Sequence, residues 1–296
     1  MSSANAFRPR RSCLYMPGAN TRALEKARTL PADVLILDLE DAVAPDAKDS
    51  ARATIASALK EKTYGEREVI VRANALDTPW STDDITMAVS AGANGVLIPK
   101  VETAQDVIQI DSLLSAAGAS ADFLLWAMIE MPLAILNIQE IAAASGRTRL
   151  AGFMLGTNDL AKAYGAVYTP DRFAFQVPLM MALTAARAYG LVALDSVYND
   201  FKNPEGLEAE CEQGRVLGFD GKTLIHPAQI DTANRVFSPD PEQVAQARLI
   251  IEAFSQPENQ GRGVIQVNGA MVELLHLEQA QQLVDIDAAI RARSGQ

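Results

Sequence analysis

At 296 residues, with 37 acidic against 26 basic side chains and a formal charge of −11, the chain can bury a sizeable core. It lacks the broad basic surface that nucleic acid or an anionic membrane requires. Its two cysteines, Cys13 and Cys211, form neither a metal spacing nor a disulfide framework, and its two histidines, His226 and His276, exclude a His-rich metal centre. No run reaches about 18 apolar residues and no apolar signal core follows the N-terminal arginines, so a soluble, cytoplasmic protein is expected.

Short apolar runs then alternate with Ala-rich amphipathic segments. The first run, residues 13–16, leads into the Pro17-Gly18 turn, with Arg22 and Lys26 following at helical spacing. Those two cations could hold a phosphate-bearing ligand or simply face solvent. The second run, 34–37, ends in Asp38-Leu39-Glu40-Asp41, ahead of Lys48 and Arg52. Like charges this close repel, so the acids either order metal-bound waters and Arg72 or pair with Lys48 and Arg52. The third run, 69–71, ends in Arg72, whose planar fork suits a substrate carboxylate or a neighbouring acid. The fourth, 95–98, ends in Pro99-Lys100; a Schiff-base role for Lys100 needs a desolvated amine, which the nearby acids oppose.

The fifth run, 123–129, has seven apolar residues without alternation, as suits a strand buried on both faces. It ends in Glu130, and Pro132 then opens a helix. A lone carboxylate there needs a cation, a partner such as Arg72, or water. The sixth run, 152–155, ends in Gly-Thr-Asn-Asp159, where Asp159 is a ligand or the cap of a helix over 160–164. The seventh, 192–194, ends in Asp195. The eighth, 223–225, ends in His226, a hydrogen-bond donor or base at the mouth or a structural residue closing the barrel.

Eight runs, mostly about 25–35 residues apart, predict βα units, and in residues 1–237 they match a (β/α)8 barrel better than an open sheet. No G-x-G-x-x-G follows the first run, so a dinucleotide fold has no support. In a barrel the polar run ends converge on one face. There Glu130 and Asp159 are the candidate metal ligands, and a carboxylate pair with room for waters and substrate oxygens suits Mg²⁺, or Mn²⁺, better than zinc. Beyond residue 237 the pattern changes. Residues 239–254 read as a helix capped by Ser238, and 256–263 as a polar link. After an extended piece at 264–267 and an Asn268-Gly269 turn, a helix is expected over 270–292. This C-terminal helical extension, 238–296, is too small for its own core and is expected to pack as an arm or lid on the barrel or on a neighbouring subunit.

Taken together, R-S-C-L-Y-M-P-G, L-D-L-E-D-A-V, V-R-A-N, L-I-P-K-V-E, M-I-E, G-T-N-D-L-A, G-F-D-G-K and N-G-A-M-V-E resemble the citrate lyase β-subunit-like proteins of the HpcH/HpaI aldolase superfamily. Malyl-CoA and citramalyl-CoA lyases are relatives of that group. The resemblance implies Mg²⁺ on Glu130 and Asp159, and substrate oxygens on Arg72. It also implies acyl-CoA contacts from Tyr15, Arg22 and Lys26, with Arg22 standing where the family has lysine. Asp38, Glu40, Asp41 and His226 would order these groups from behind. In the lyases an aspartate of a C-terminal M-[VI]-D motif acts as acid/base from a neighbouring subunit; here M-V-E supplies Glu273, a longer arm. The implied reaction is retro-Claisen or retro-aldol cleavage of a 3-hydroxyacyl-CoA into an acyl-CoA and an α-keto acid, in a homotrimer or hexamer. The alternatives are a metal aldolase on free hydroxy-keto acids, a citrate lyase β subunit acting on a carrier-protein thioester, and a metal-binding protein without turnover.

Overall fold

The computed structural model describes residues 8–294. All eight predicted runs are strands: β1 Ser12–Pro17, β2 Val34–Asp38, β3 Glu68–Arg72, β4 Gly95–Ile98, β5 Leu124–Ile129, β6 Leu150–Leu155, β7 Val192–Asp195 and β8 Gly221–Leu224. They form a closed barrel in chain order, each pair parallel, with β8 returning to β1. Helices occupy the crossovers: α1 Thr21–Ala27, α2 Lys48–Lys60, α3 Ser81–Ala91, α4 Ala104–Ala116, α5 Pro132–Leu136 and α6 Ile138–Ala143. They continue with α7 Thr157–Tyr164, α8 Gln176–Ala188, α9 Pro204–Leu217 and α10 Ile230–Val236. This is the (β/α)8 barrel that the spacing predicts.

The barrel interior is filled by alternate strand residues, among them Cys13, Ile36, Ile70, Trp126, Met128, Met154 and Leu194. Successive side chains of a strand point to opposite faces, so a residue two positions beyond an interior one also points inward. By that rule Tyr15, Asp38, Arg72 and Glu130 form the next layer up, on the C-terminal side. Register supports it, because Asp38 stands directly opposite Arg72 on β3. Gly152 makes room for the large interior ring: a Cβ there would lie 2.6 Å from Trp126 Cζ3.

Asp195 breaks the expected convergence. It follows the interior Leu194 by one residue, so it points outward, opposite Lys222 of β8. There it is buried with Lys222 and Glu210, and with Arg172 from the loop after α7.

Residues 10–235 make one compact unit; residues from 236 onward, with the described residues before Arg10, make the other. The second unit holds α11 Pro241–Ser255, the hairpin β9 Val264–Val267 with β10 Ala270–Glu273, and α12 Leu274–Ser294. Two boundaries differ from expectation. The cap of α11 is Asp240, not Ser238, because Pro241 takes the first helical position and Asp240 Oδ1 accepts from the N–H groups of Glu242 and Gln243. Residues 270–273 are a strand and not the start of the last helix. Asn268 and Gly269 both adopt positive φ (49° and 83°), which folds Ala270–Glu273 back on Val264–Val267. Ile265, Val267 and Val272 then pack against Ile250 and Phe254 of α11. Among the described residues no helix is long and apolar enough to cross a membrane.

Candidate active site

A cavity of about 360 Å³ opens at the C-terminal end of the barrel. Tyr15, Asp38, Asp41 and Arg72 line one side, and Gly156, Asn158 and Asp159 the other. Its apolar walls include Met128, Leu155, Val197 and Ile225. The face expected from the strand ends is therefore the concave one.

Arg72 is 7% exposed and its fork is held on every side. Nε and Nη2 donate to the two oxygens of Asp38, each at 2.7 Å. Nη1 meets Glu40 at 2.8 Å and Asp41 at 3.5 Å. The guanidinium also lies over the Tyr15 ring, 4.8 Å from its centroid. Burial alone would lower the Arg72 pKa, but these acids, Asp38 first, hold it well above the usual value. Arg72 is thus a permanent, oriented cation at the cavity wall, paired with Asp38 rather than with Glu130. The acids of 38–41 do not pair with Lys48 and Arg52 as one sequence reading has it. Lys48 Nζ donates to the backbone carbonyls of Leu39 and Glu40, fixing the shape of the loop, and Arg52 turns away to Asp84 and Asp49.

Glu130 is 1% exposed. Its Oε1 accepts the backbone N–H of Lys100 at 2.9 Å, and Lys100 holds a left-handed φ of 53°, unusual for a residue with a Cβ. Its other oxygen faces Gly156, where a Cβ would lie 2.6 Å from Oε2. Glycine at 156 is what lets the β6–α7 junction close over this carboxylate. Burial, then the charges of Asp159 and Glu40, push the Glu130 carboxyl up to about 8. Lys100 Nζ reaches Glu40 at 3.3 Å; burial would lower its pKa, but Glu40 and its neighbours raise it. A protonated, ion-paired Lys100 is unsuited to Schiff-base formation.

Asp159 is the third residue of α7, whose cap position is Gly156, so Asp159 lies inside the helix and does not cap it. Five carboxylates, Asp38, Glu40, Asp41, Glu130 and Asp159, thus share three cations, Arg72, Lys100 and, without a direct ion pair, the buried Lys48. The negative surplus calls for a proton on Glu130 or for a bound cation. Among the described residues no three His, Cys, Asp or Glu side chains gather into a metal cage. Asp159 lines the cavity and its charge acts on the buried Glu130 carboxyl, and such a carboxylate pair beside open space fits Mg²⁺, which keeps several water or substrate ligands.

The other predicted site residues lie elsewhere. Arg22 and Lys26 are exposed on α1, just beyond the end of β1, and do not line the cavity. His226 also stays out of it: its Nδ1 accepts from Ala228 N–H to cap a short turn, and its ring stacks on Phe201 at 4.6 Å. Glu273 belongs to the second unit, exposed on β10, and its N–H donates to His276 Nδ1. The cavity walls Met128, Val197 and Ile225 carry no polar signal in the sequence, and Arg172 gives none either because it sits in an aperiodic loop.

A family model described as HpcH/HpaI aldolase/citrate lyase matches residues 11–227, most of the barrel unit. The chain belongs to that family. It is 50% identical over 289 residues to a (3S)-malyl-CoA thioesterase of Cereibacter sphaeroides (strain ATCC 17029), covering 98% of each chain. It is 40% identical over 271 residues to the citrate lyase subunit beta of Escherichia coli (strain K12), covering 90% of this chain and 89% of that one. Among solved structures, it is similar to CitE from Mycobacterium tuberculosis in complex with magnesium, acetoacetate and coenzyme A. That match has a TM-score of 0.75 and 29% identity, over 94% of this chain and 97% of that one.

Proposed function

We propose that this protein is a Mg²⁺-dependent carbon–carbon lyase that cleaves a 3-hydroxyacyl-CoA of the malyl-, citramalyl- or citryl-CoA type into an acyl-CoA and an α-keto acid. The observation that carries the reading is the Glu130–Asp159 pair: a nearly inaccessible carboxylate and a second one at the cavity, in an excess of negative charge. Similarity to a structure solved with magnesium, acetoacetate and coenzyme A supports a site that takes both a metal and a coenzyme A group.

Mg²⁺ held by Glu130 and Asp159 would supply Lewis-acid stabilisation of charge on substrate oxygens. Arg72, immobilised by Asp38 and Tyr15, would stabilise the oxygen that gains charge as the hydroxyl becomes a carbonyl. In that step the hydroxyl proton would pass to solvent, the O–H electron pair would form the carbonyl, and the pair of the breaking C–C bond would pass to the acyl-CoA carbon. Glu273, on the extension of a neighbouring subunit, is the acid proposed to protonate that carbon. A cavity of about 360 Å³ takes the hydroxy-acid end and not the whole thioester. The nucleotide of coenzyme A would therefore lie outside it, where the exposed Arg22 and Lys26 offer charge to its phosphates.

A second reading, hydrolysis of the thioester, is favoured by the 50% identity to a (3S)-malyl-CoA thioesterase. One incubation separates the two. With Mg²⁺ and (3S)-malyl-CoA, a lyase releases glyoxylate and keeps the thioester as acetyl-CoA; a hydrolase releases free thiol and malate. Free thiol without any keto acid would contradict the lyase proposal in favour of hydrolysis, and absence of all products across malyl-, citramalyl- and citryl-CoA would contradict both readings.

A further inference from the structure

Placing a glycine at 156 clears space for Glu130 but leaves α7 without a capping side chain at its N-terminus, the turn that carries Asp159. That turn is fastened sideways instead. Thr157, 1% exposed, donates its hydroxyl to Ser196 Oγ at 3.0 Å, across to the end of β7. Asn158 exchanges amide hydrogen bonds with Asn199 further along the same loop. Ser196 is gripped in turn. Its N–H donates to Asp195 Oδ1 at 2.8 Å, and its carbonyl accepts from Lys222 Nζ at 2.6 Å. Asp195 and Lys222 are both 0% exposed, and Arg172 closes the network with a 2.7 Å contact to Asp195.

Such a buried ionic cluster is expensive to desolvate, and well-packed apolar residues would often do as well for stability. Its geometry has a use, however: it immobilises both backbone groups of Ser196, and so fixes an acceptor that Thr157 meets. We infer that Thr157 and Ser196 are a positioning pair, which sets the first turn of α7, and hence the Asp159 carboxylate, for the divalent cation. Catalytic and metal geometries tolerate displacements of only about 0.5 Å, so a lateral tie at this turn controls affinity. The inference rests on the reading of Glu130 and Asp159 as cation ligands.

The test is Mg²⁺ binding by calorimetry on the full chain, with thermal melting as a check on folding. Thr157→Val keeps the shape and removes the donor; Ser196→Ala removes the acceptor; Thr157→Ser keeps the hydroxyl. The expected result is Mg²⁺ binding about 10–100-fold weaker in Thr157→Val and Ser196→Ala. Thr157→Ser should return to near the wild-type value. A folded Thr157→Val that binds Mg²⁺ like wild type overturns the inference, as does a Thr157→Ser as weak as Thr157→Val. If Thr157→Val does not fold, Ser196→Ala decides by the same criterion. A wild-type chain that binds no Mg²⁺ overturns the cation reading, and this inference with it.

Discussion

Glu130 is the residue on which the chemistry turns, and its environment makes a pH prediction. Burial and two neighbouring acids raise its carboxyl to about 8, so at neutral pH it is mostly protonated unless a cation takes the proton's place. Mg²⁺ binding should therefore tighten by up to about tenfold per pH unit between roughly pH 6 and 8, then level off, with a proton released on binding. Calorimetry in buffers of different ionisation heat reads both effects; a pH-independent affinity would contradict them. The cation-free chain should behave in the opposite sense. The unfolded carboxyl loses its proton near about pH 4.3 while the folded one keeps it, so this residue makes the fold less stable as pH rises from there towards 8. Residues such as Asp38, Arg72 and Glu130 were readable because each ends an apolar run and stands two positions beyond an interior residue. Asp195 also ends such a run, but in the other phase. Three apolar residues in a row do not reveal which of them faces in.

At the scale of elements, the β6–α7 junction is a tight point of the site. Gly156→Ala puts a Cβ 2.5 Å from Glu130 Cβ and 2.6 Å from its Oε2, so the junction or the carboxylate must shift. The chain should still fold, with turnover and Mg²⁺ affinity each down more than about tenfold, since displaced ligands cost that much or more. Steady-state kinetics against Mg²⁺ concentration checks this, and wild-type behaviour would contradict it. The β7–β8 network also bears on stability. Burial would raise the Asp195 carboxyl, but Lys222 and Arg172 outweigh it and hold it below the usual carboxylate range. Its contribution is present above about pH 4 and is lost as pH falls through the depressed folded value. Asp195→Ala, leaving Arg172 and Lys222 to share the charge of Glu210, should destabilise the fold by about 3–5 kcal/mol in denaturant unfolding. A loss below about 1 kcal/mol would show that the cluster relaxes into water. This network was hidden in the sequence because Arg172 and its partner Asp195 come from a loop and a strand with no shared periodicity. The β9–β10 hairpin was half legible: Asn268-Gly269 announced the turn, but Ala-Met-Val-Glu reads equally as helix. Pairing across the turn overrides that weak local preference.

On the scale of the whole molecule, spacing alone was enough for the barrel, since eight buried runs with helical crossovers leave few topologies open. The same reasoning says little about partners, because a surface carries no periodicity. The proposal that Glu273 serves a neighbour's site requires an oligomer: sedimentation of the active enzyme should show a trimer or hexamer, and a fully active monomer would contradict it. The central claim remains the carboxylate pair, and titration of the chain with Mg²⁺ at pH 8, followed by calorimetry, tests it most directly. The account predicts one bound ion per chain, with binding abolished in Glu130→Ala and in Asp159→Ala while both variants melt as folded proteins. Undiminished Mg²⁺ binding in either variant would contradict it.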